Sequence, residues 1–221
     1  MASVAAIFDL DGTLVTFKFD VKGTREAIID ELSKRKFDTS VLNLTTPTQT
    51  MINIAKAQVE SGKVSVDVEE VLEAIYLILD KSELETSEKS DLIPGVRETL
   101  DYLRSRQVRL GVLTNSGRLA TTKMLERAGI QGFFEFVLCR DDVTAMKPSP
   151  DGLAKAVALL GLPRDSVYYI GDSKYDIMAA RGAGVWMVAV ASGNYTAEKL
   201  KEEGANYVVS NLEELPGVLG V

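Results

Sequence analysis

The chain has 221 residues, 46% hydrophobic and 26% charged, which is ordinary composition for a globular protein with one full core and a smaller second domain. The formal net charge of −7 argues against a nucleic-acid-binding surface, and no apolar run approaches the roughly 18 residues that span a membrane. Because the chain has no histidine, histidine bases and histidine metal ligands are excluded, and acid–base chemistry must fall to Asp, Glu, Lys or Tyr.

Five short apolar runs predict buried strands, at 4–8, 108–113, 134–138, 167–170 and 186–190. A helix-like or turn-rich stretch follows each of the last four runs. Strands that alternate with helices indicate an α/β fold in which a doubly wound parallel sheet carries helices on both faces.

The connection between the first two predicted strands is far longer than the rest. A whole βαβ unit needs about 30 residues, whereas residues 17–90 hold three helical patterns and no convincing strand. We therefore predict a helical cap domain, 17–90, inserted into a core made of 1–16 and 91–221. An insertion joined by two crossings at a strand's carboxyl end is typical of a functional lid. The alternative is that these helices thicken one face of the sheet.

The first polar motif, Asp9-Leu10-Asp11-Gly12-Thr13, directly follows the first predicted strand. Residues at i and i+2 leave a strand end on one side of the chain, which brings Asp9 and Asp11 together. One carboxylate can attack phosphorus to form an aspartyl-phosphate, while a second protonates the leaving oxygen. An Asp-Gly turn is the simpler interpretation of this motif, but the Thr-Leu-Val that follows makes it more specific.

Two further motifs suit anion binding. Thr114-Asn115-Ser116-Gly117 follows the second strand, and the Thr114 hydroxyl with free N–H groups at the next helix start predicts an anion cradle. Simple N-capping by Asn115 or Ser116 is the alternative. In Met146-Lys147-Pro148-Ser149-Pro150, the flanking prolines restrict the backbone, so we predict an extended Lys147 whose ammonium neutralises a phosphate. Ser149 is the predicted N-cap, and Pro150 is placed in the first helical turn.

Asp172 and Asp176 follow the fourth predicted strand. Mg²⁺ prefers hard oxygen ligands and usually takes one or two carboxylates, so Asp172 and Asp9 predict a Mg²⁺ site. We expect Asp176 to support these ligands without binding the metal itself. Part of its role is explained by its position, because acids are favoured at a helix start. Ligands of open α/β sheets bind at the carboxyl ends of the strands, which unites the four motifs in one site. We interpret 139–142 as structural and the single tryptophan, Trp186, as a core residue.

These four motifs, in this order, resemble those of the haloacid dehalogenase superfamily: FDLDGTLV, VLTN, the lysine of MKPSP, and GDSKYD. The resemblance covers essentially the whole chain and implies a Rossmann-like core. The helical insertion resembles the C1-type cap of phosphoglycolate phosphatase and β-phosphoglucomutase relatives.

The resemblance also implies roles for individual residues. It makes Asp9 the nucleophile and a Mg²⁺ ligand, and it makes Asp11 the acid/base, with its backbone carbonyl also on the metal. The phosphoryl oxygens would be held by Thr114, the Asn115 backbone and Lys147, and Asp172 would bind the metal. Phosphoryl transfer suits such a site because it mainly requires alignment and charge neutralisation.

Differences from relatives favour one chemistry. Haloacid dehalogenases and phosphonatases lack an acid where this chain has Asp11, and β-phosphoglucomutases use a cap histidine that it does not have. We therefore expect a cytoplasmic phosphatase that hydrolyses a small phosphorylated metabolite and binds neither nucleic acid nor membrane. A phosphomutase, a non-catalytic phosphometabolite-binding protein and a partner-binding module are the alternatives. The sequence does not determine whether the chain is a monomer or a homodimer.

Overall fold

The structure is a computed structural model that describes residues 4–16, 18–192 and 195–221. Phe17, at the predicted start of the cap, lies outside the described residues. The described chain divides into two compact units: Lys18–Glu88 form the smaller one, and the residues on either side of this segment form the larger. Within the described ranges, no helix combines the length and the apolar character needed to cross a membrane.

The larger unit is built on a parallel sheet of six strands in the order β3-β2-β1-β4-β5-β6. The chain adds two strands on one side of the central β1 and then returns to add three on the other, so the predicted doubly wound, Rossmann-like fold is confirmed. The strands are β1 (Ala5–Phe8), β2 (Arg109–Leu113), β3 (Phe136–Leu138), β4 (Val167–Gly171), β5 (Trp186–Val190) and β6 (Tyr207–Val209).

The sixth strand was missing from the sequence prediction. It has only three residues, Tyr207–Val209, and it pairs with β5 at the edge of the sheet. A run this short is below the length at which apolar patterning indicates a strand. Its pairing with β5 is what defines it.

The helices of the described chain cover both faces of this sheet and build the smaller unit. They are α1 (Val21–Lys34), α2 (Thr48–Glu60), α3 (Val68–Ser87), α4 (Val96–Ser105), α5 (Arg118–Ala128), α6 (Asp151–Leu160), α7 (Lys174–Ala183), α8 (Ala197–Glu202) and α9 (Leu215–Leu219).

Two hydrophobic clusters lie on opposite sides of the sheet. Neighbouring side chains of a strand point to opposite faces, so Ala6 and Phe8 belong to one cluster, whereas Ala5 and Ile7 belong to the other. The central strand β1 is therefore apolar along its whole length, as expected of a parallel strand covered on both faces.

In the smaller unit, α1 and α3 pack together, and α2 packs on α3. Asp20 begins α1 by accepting a hydrogen bond from the Gly23 N–H, and Asp67 begins α3 by accepting one from the Glu69 N–H. The hydroxyls of Thr24 and Ser82 join α1 to α3 at 2.7 Å. The three helical patterns of the sequence correspond to these three helices.

The prediction that Trp186 is a core residue is wrong. Its side chain is 37% exposed at the start of β5, and its indole Nε1–H donates to the Asp165 carbonyl oxygen at 3.0 Å. The apolar run that predicted β5 does begin at this residue. However, the first position of the strand lies at the amino-terminal edge of the sheet, with its ring near that of Tyr207 in the edge strand.

The two chain segments that join the larger unit to the inserted helices lie side by side. The Thr16 N–H donates to the Asp91 carbonyl oxygen at 2.8 Å, and the Asp91 N–H donates to the Thr16 hydroxyl at 3.0 Å. An antiparallel bridge between Val15 and Leu92 continues this pairing. The insertion therefore begins and ends at one place on the larger unit.

Candidate active site

Asp9 and Asp172 meet where the order of the strands reverses. Asp9 directly follows β1, Asp172 directly follows β4, and these strands are neighbours in the sheet. The Asp9 N–H donates to the Ile170 carbonyl oxygen at 2.8 Å, which extends the pairing beyond β1. Both carboxylates thus lie at the carboxyl edge of the sheet, where open α/β sheets bind their ligands.

Three buried carboxylates form a cluster at this edge. Asp9, Asp172 and Asp176 each bring one oxygen within 4.8 Å of the other two. Their exposed fractions are 7%, 6% and 0%, respectively. Several carboxylates held together out of water repel one another, and a hard divalent cation is the group that such an oxygen set suits.

The turn after Asp9 allows the backbone to approach this cluster. Gly12 has φ +82°, which favours glycine, and a Cβ at this position would overlap the Asp172 carboxylate. A side chain here would displace Asp172 from its neighbours. The Asp-x-Asp-Gly motif is therefore more than a generic turn, because its glycine leaves the space that the carboxylate cluster occupies.

Lys147 lies against the same cluster and is 8% exposed. Its ammonium donates to Asp9 Oδ1 at 2.6 Å, to Asp176 Oδ1 at 2.7 Å and to the Tyr169 hydroxyl oxygen at 2.8 Å. Burial alone would lower the pKa of Lys147, but the carboxylates of Asp176 and Asp9 outweigh burial and raise it above its ordinary value. The Lys147 ammonium therefore lies buried beside the predicted nucleophile, where these carboxylates favour its charged form.

The pKa of Asp9 is shifted by the same neighbours. Burial raises it well above its ordinary value, the Lys147 ammonium opposes that rise, and the carboxylates of Asp176 and Asp172 add to it. A bound cation would favour the ionised carboxylate, which is the form that can act as a nucleophile.

The Asn115 side chain holds the backbone of Lys147. Its Nδ2 donates to the Lys147 carbonyl oxygen at 3.0 Å, and its Oδ1 accepts from the Lys147 N–H at 2.8 Å. The buried Arg140 donates in turn to the Asn115 carbonyl oxygen at 3.2 Å. The interpretation of Asn115 as a simple N-cap is wrong: α5 begins at Arg118, and its N-cap, Gly117, has no capping side chain.

The loop around Lys147 also differs from the prediction at its end. α6 begins at Asp151, so its N-cap is Pro150 and not the predicted Ser149. The Ser149 hydroxyl accepts from the Asp151 N–H at 3.4 Å. The helix therefore starts one residue later, since proline's fixed φ is as compatible with the N-cap position as with the first turn.

Asp11 faces a different partner from Asp9. Its carboxylate Oδ2 accepts a hydrogen bond from the Ser116 hydroxyl at 2.8 Å, and it is half-buried. Burial raises the pKa of Asp11, while the hydrogen bond from Ser116, the Lys147 charge and a hydrogen bond from Thr114 each work in the other direction. The two acids of the motif thus have distinct surroundings, as their distinct predicted roles require.

In the predicted anion cradle after β2, two backbone N–H groups already donate hydrogen bonds to side chains of the protein. The Ser116 N–H donates to the Thr114 hydroxyl at 3.0 Å, and the Arg118 N–H donates to Asp141 Oδ2 at 2.8 Å. Both groups therefore have partners within the protein. Thr114 itself is buried beside Asp11, where the motif predicted it.

Asp176 both caps the start of α7 and contacts the residues of the site, as its two interpretations predicted. Its Oδ2 accepts from the Ser173 N–H at 3.0 Å and from the Ser173 hydroxyl at 2.6 Å, in a capping box at the start of α7. Its Oδ1 accepts from Lys147 and from the Tyr169 hydroxyl, at 3.0 Å for the latter. The carboxylate is thus a helix cap on one side and part of the carboxylate cluster on the other.

Sequence analysis did not single out Ser116 or Tyr169 as site residues. Ser116 lies two positions after Thr114 in a recognised motif, so its spacing was a usable signal. Tyr169 lies inside β4 and has the pattern of an ordinary core residue. Only the fold brings its hydroxyl to Lys147.

Sequence comparison identifies the family of this chain. The model of the haloacid dehalogenase-like hydrolase family matches residues 6–190. The chain belongs to this family, as its motifs predicted. A phosphoglycolate phosphatase of Nitrosococcus oceani is 29% identical over 215 residues, which cover 96% of this chain and 95% of the relative. The chain is accordingly a phosphatase, a phosphoric monoester hydrolase, and the predicted enzyme class is confirmed.

Solved structures share the fold. A hydrolase from Pseudomonas syringae has a TM-score of 0.67 at 23% identity, over 99% of this chain and 98% of the other. A protein from Thermotoga maritima proposed to be a beta-phosphoglucomutase has a TM-score of 0.64 at 23% identity, over 100% and 99%. Phosphatases of the family generally use a divalent metal, for which the carboxylate cluster supplies suitable oxygen atoms.

Proposed function

We propose that this phosphatase hydrolyses a small phosphomonoester, phosphoglycolate-like or a sugar phosphate, through an aspartyl-phosphate on Asp9. The observation that carries the proposal is the contact of a buried ammonium, Lys147, with Asp9 inside a cluster of carboxylates. A nucleophilic carboxylate, a fixed positive charge and a set of metal-type oxygens are what phosphoryl transfer requires. The family relative from N. oceani supports the substrate class.

The donor set fits Mg²⁺. Asp9 and Asp172 supply hard carboxylate oxygens, Gly12 leaves room for the Asp172 carboxylate, and the family pattern adds the Asp11 backbone carbonyl. When bound there, Mg²⁺ would supply positive charge to the phosphoryl oxygens and to the carboxylates that repel one another.

Two displacements complete the proposed reaction. In the first, an Asp9 carboxylate oxygen forms a bond to phosphorus, the bond from phosphorus to the alcohol oxygen breaks, and Asp11 gives its proton to that oxygen. In the second, Asp11 takes a proton from a water molecule, the water oxygen attacks phosphorus, and the bond to Asp9 breaks to release phosphate. Lys147 neutralises the phosphoryl charge throughout, with Thr114 and the Asn115 backbone as further partners.

The insertion belongs to the same proposal. We assign 17–90 as a cap that excludes bulk water and contributes to substrate choice, and 1–16 with 91–221 as the catalytic core. A cytoplasmic location is consistent with the single buried cysteine, Cys139, which has no internal disulfide partner.

The test is Asp9→Asn, compared with Asp101→Asn, which changes an exposed aspartate of α4. With Mg²⁺ and a panel of phosphoglycolate, sugar phosphates and nucleotides, the wild type and Asp101→Asn should release phosphate, whereas Asp9→Asn should not. Acid-quenched wild type should carry phosphate on the peptide that contains Asp9. Retained turnover by Asp9→Asn would refute the assignment. Isomerisation of a sugar phosphate without net phosphate release would show a mutase instead.

A further inference from the structure

Tyr169 lies inside β4 with its side chain completely buried. Its hydroxyl oxygen accepts from Lys147 Nζ at 2.8 Å. Its single proton is shared between Asp176 Oδ1 at 3.0 Å and the Leu113 carbonyl oxygen at 3.2 Å. The hydroxyl thus connects the lysine, a carboxylate of the cluster and the end of β2.

The ammonium of Lys147 has three N–H groups, and each has an acceptor in the structure: Asp9, Asp176 and Tyr169. A phosphoryl oxygen can therefore contact Lys147 only if one acceptor is exchanged. Asp176 and Tyr169 are fully buried, whereas Asp9 is the acceptor at the reacting centre. When an Asp9 oxygen becomes bonded to phosphorus, its negative charge passes to the phosphoryl and leaving groups. The N–H that faced Asp9 is then the one available to a phosphoryl oxygen that comes to lie beside that carboxylate.

We propose that Tyr169 is a positioning residue whose hydroxyl, together with Asp176, anchors two N–H groups of Lys147, so that the third points at the reacting phosphoryl group. The proposal rests on the role of Lys147 in the proposed function. Fixing two of three N–H directions leaves the ammonium no rotational freedom, so the third direction is set in advance of substrate binding.

A buried tyrosine hydroxyl usually finds some partner, so a purely structural role is the competing explanation. The two explanations differ in what Tyr169→Phe should change. Phenylalanine keeps the ring and loses only the hydroxyl. A structural hydroxyl would affect stability alone, whereas a positioning hydroxyl acts on rate and phosphate binding through Lys147.

Tyr168→Phe is a matched control. Tyr168 is the preceding residue of the same strand, points to the opposite face and packs near Tyr207. With a fluorogenic aryl phosphate and Mg²⁺, Tyr169→Phe should lower kcat/KM about tenfold, the usual effect of losing one hydrogen bond to a charged group. Tyr168→Phe should stay within about twofold of the wild type.

A double-mutant cycle with Lys147→Ala decides between the explanations. If Tyr169 acts through Lys147, the loss caused by Tyr169→Phe should fall to under about twofold once the ammonium is absent. An equal loss in both backgrounds would overturn the proposal in favour of a structural role.

Equilibrium titration with inorganic phosphate and MgCl₂ makes the comparison without turnover. Tyr169→Phe should bind phosphate several-fold more weakly than Tyr168→Phe, and equal affinities would also overturn the proposal. These outcomes are separate from failure of the proposed function, which would show as a wild-type enzyme that releases no phosphate.

Discussion

The side chain of Asn115 holds the Lys147 backbone by two hydrogen bonds, from Nδ2 to the carbonyl oxygen at 3.0 Å and from the N–H to Oδ1 at 2.8 Å. The pair imitates the bonding of two neighbouring strands, although the residues belong to separate loops. It fixes the loop position of a lysine whose ammonium lies in the carboxylate cluster.

Asn115→Asp should test this relationship. The substitution replaces the donating Nδ2 with an oxygen that repels the Lys147 carbonyl, so we expect the free energy of unfolding to fall by about 1–3 kcal/mol. Activity should fall about tenfold or more, because the lysine is displaced. Urea unfolding and phosphate release measure the two effects. The control is Asn53→Asp, at an exposed position of α2 where the side-chain oxygen only accepts from Gln49; similar behaviour of both variants would contradict the prediction.

Ser116→Ala removes the hydroxyl that donates to Asp11 Oδ2 at 2.8 Å. Without it, the Asp11 carboxylate loses a fixed orientation, and we expect kcat to fall about fivefold to tenfold with KM nearly unchanged. Ser116→Thr keeps the hydroxyl and should recover much of the rate. Steady-state kinetics measure both variants. Ser105→Ala, which removes a surface hydroxyl bonded to the Tyr102 carbonyl, is the control and should change neither constant. A wild-type kcat in Ser116→Ala would count against this role.

Gly12→Ala places a Cβ against the Asp172 carboxylate in a backbone with φ +82°. The comparison is Gly161→Ala, which has φ +60° but no atom within 4 Å of the added Cβ. Positive φ alone costs about 1 kcal/mol, so the extra loss in Gly12→Ala reports the overlap with the carboxylate. We expect Gly12→Ala to unfold at lower urea concentration than Gly161→Ala and to lose Mg²⁺-dependent activity. Equal midpoints would show that Asp172 moves aside at no cost.

Metal removal should be visible in stability as well as activity. A chelator should abolish phosphate release, and Mg²⁺ should restore it. Because a ligand that binds only the folded state stabilises it, Mg²⁺ should raise the melting temperature of the wild type. Asp172→Asn lacks one charged oxygen of the cluster, so its melting temperature should respond much less to Mg²⁺. Scanning fluorimetry measures both proteins, and an equal rise would exclude Asp172 as a ligand.

The sequence predicted the parts of the fold and site that depend on local pattern. Asp9 and Asp172 were recognised because each directly follows an apolar run, and strand ends of a parallel sheet share one edge. Trp186 was misplaced because an apolar run does not reveal which of its positions lies at the open end of the sheet. Tyr169 was missed because its contact with Lys147 depends on the register of β4 against the loop before α6, which no local pattern contains.

The hydrogen bonds between Thr16 and Asp91 hold together the two points at which the chain leaves and re-enters the larger unit. Two backbones already paired as in a β-hairpin can be joined by a turn of about two to five residues. The segment Lys18–Glu88 therefore starts and ends close in sequence to this pairing, and all six strands of the sheet lie outside it. A shortened chain closed at this point would retain every residue of the carboxylate cluster, of the lysine loop and of the tyrosine that supports it.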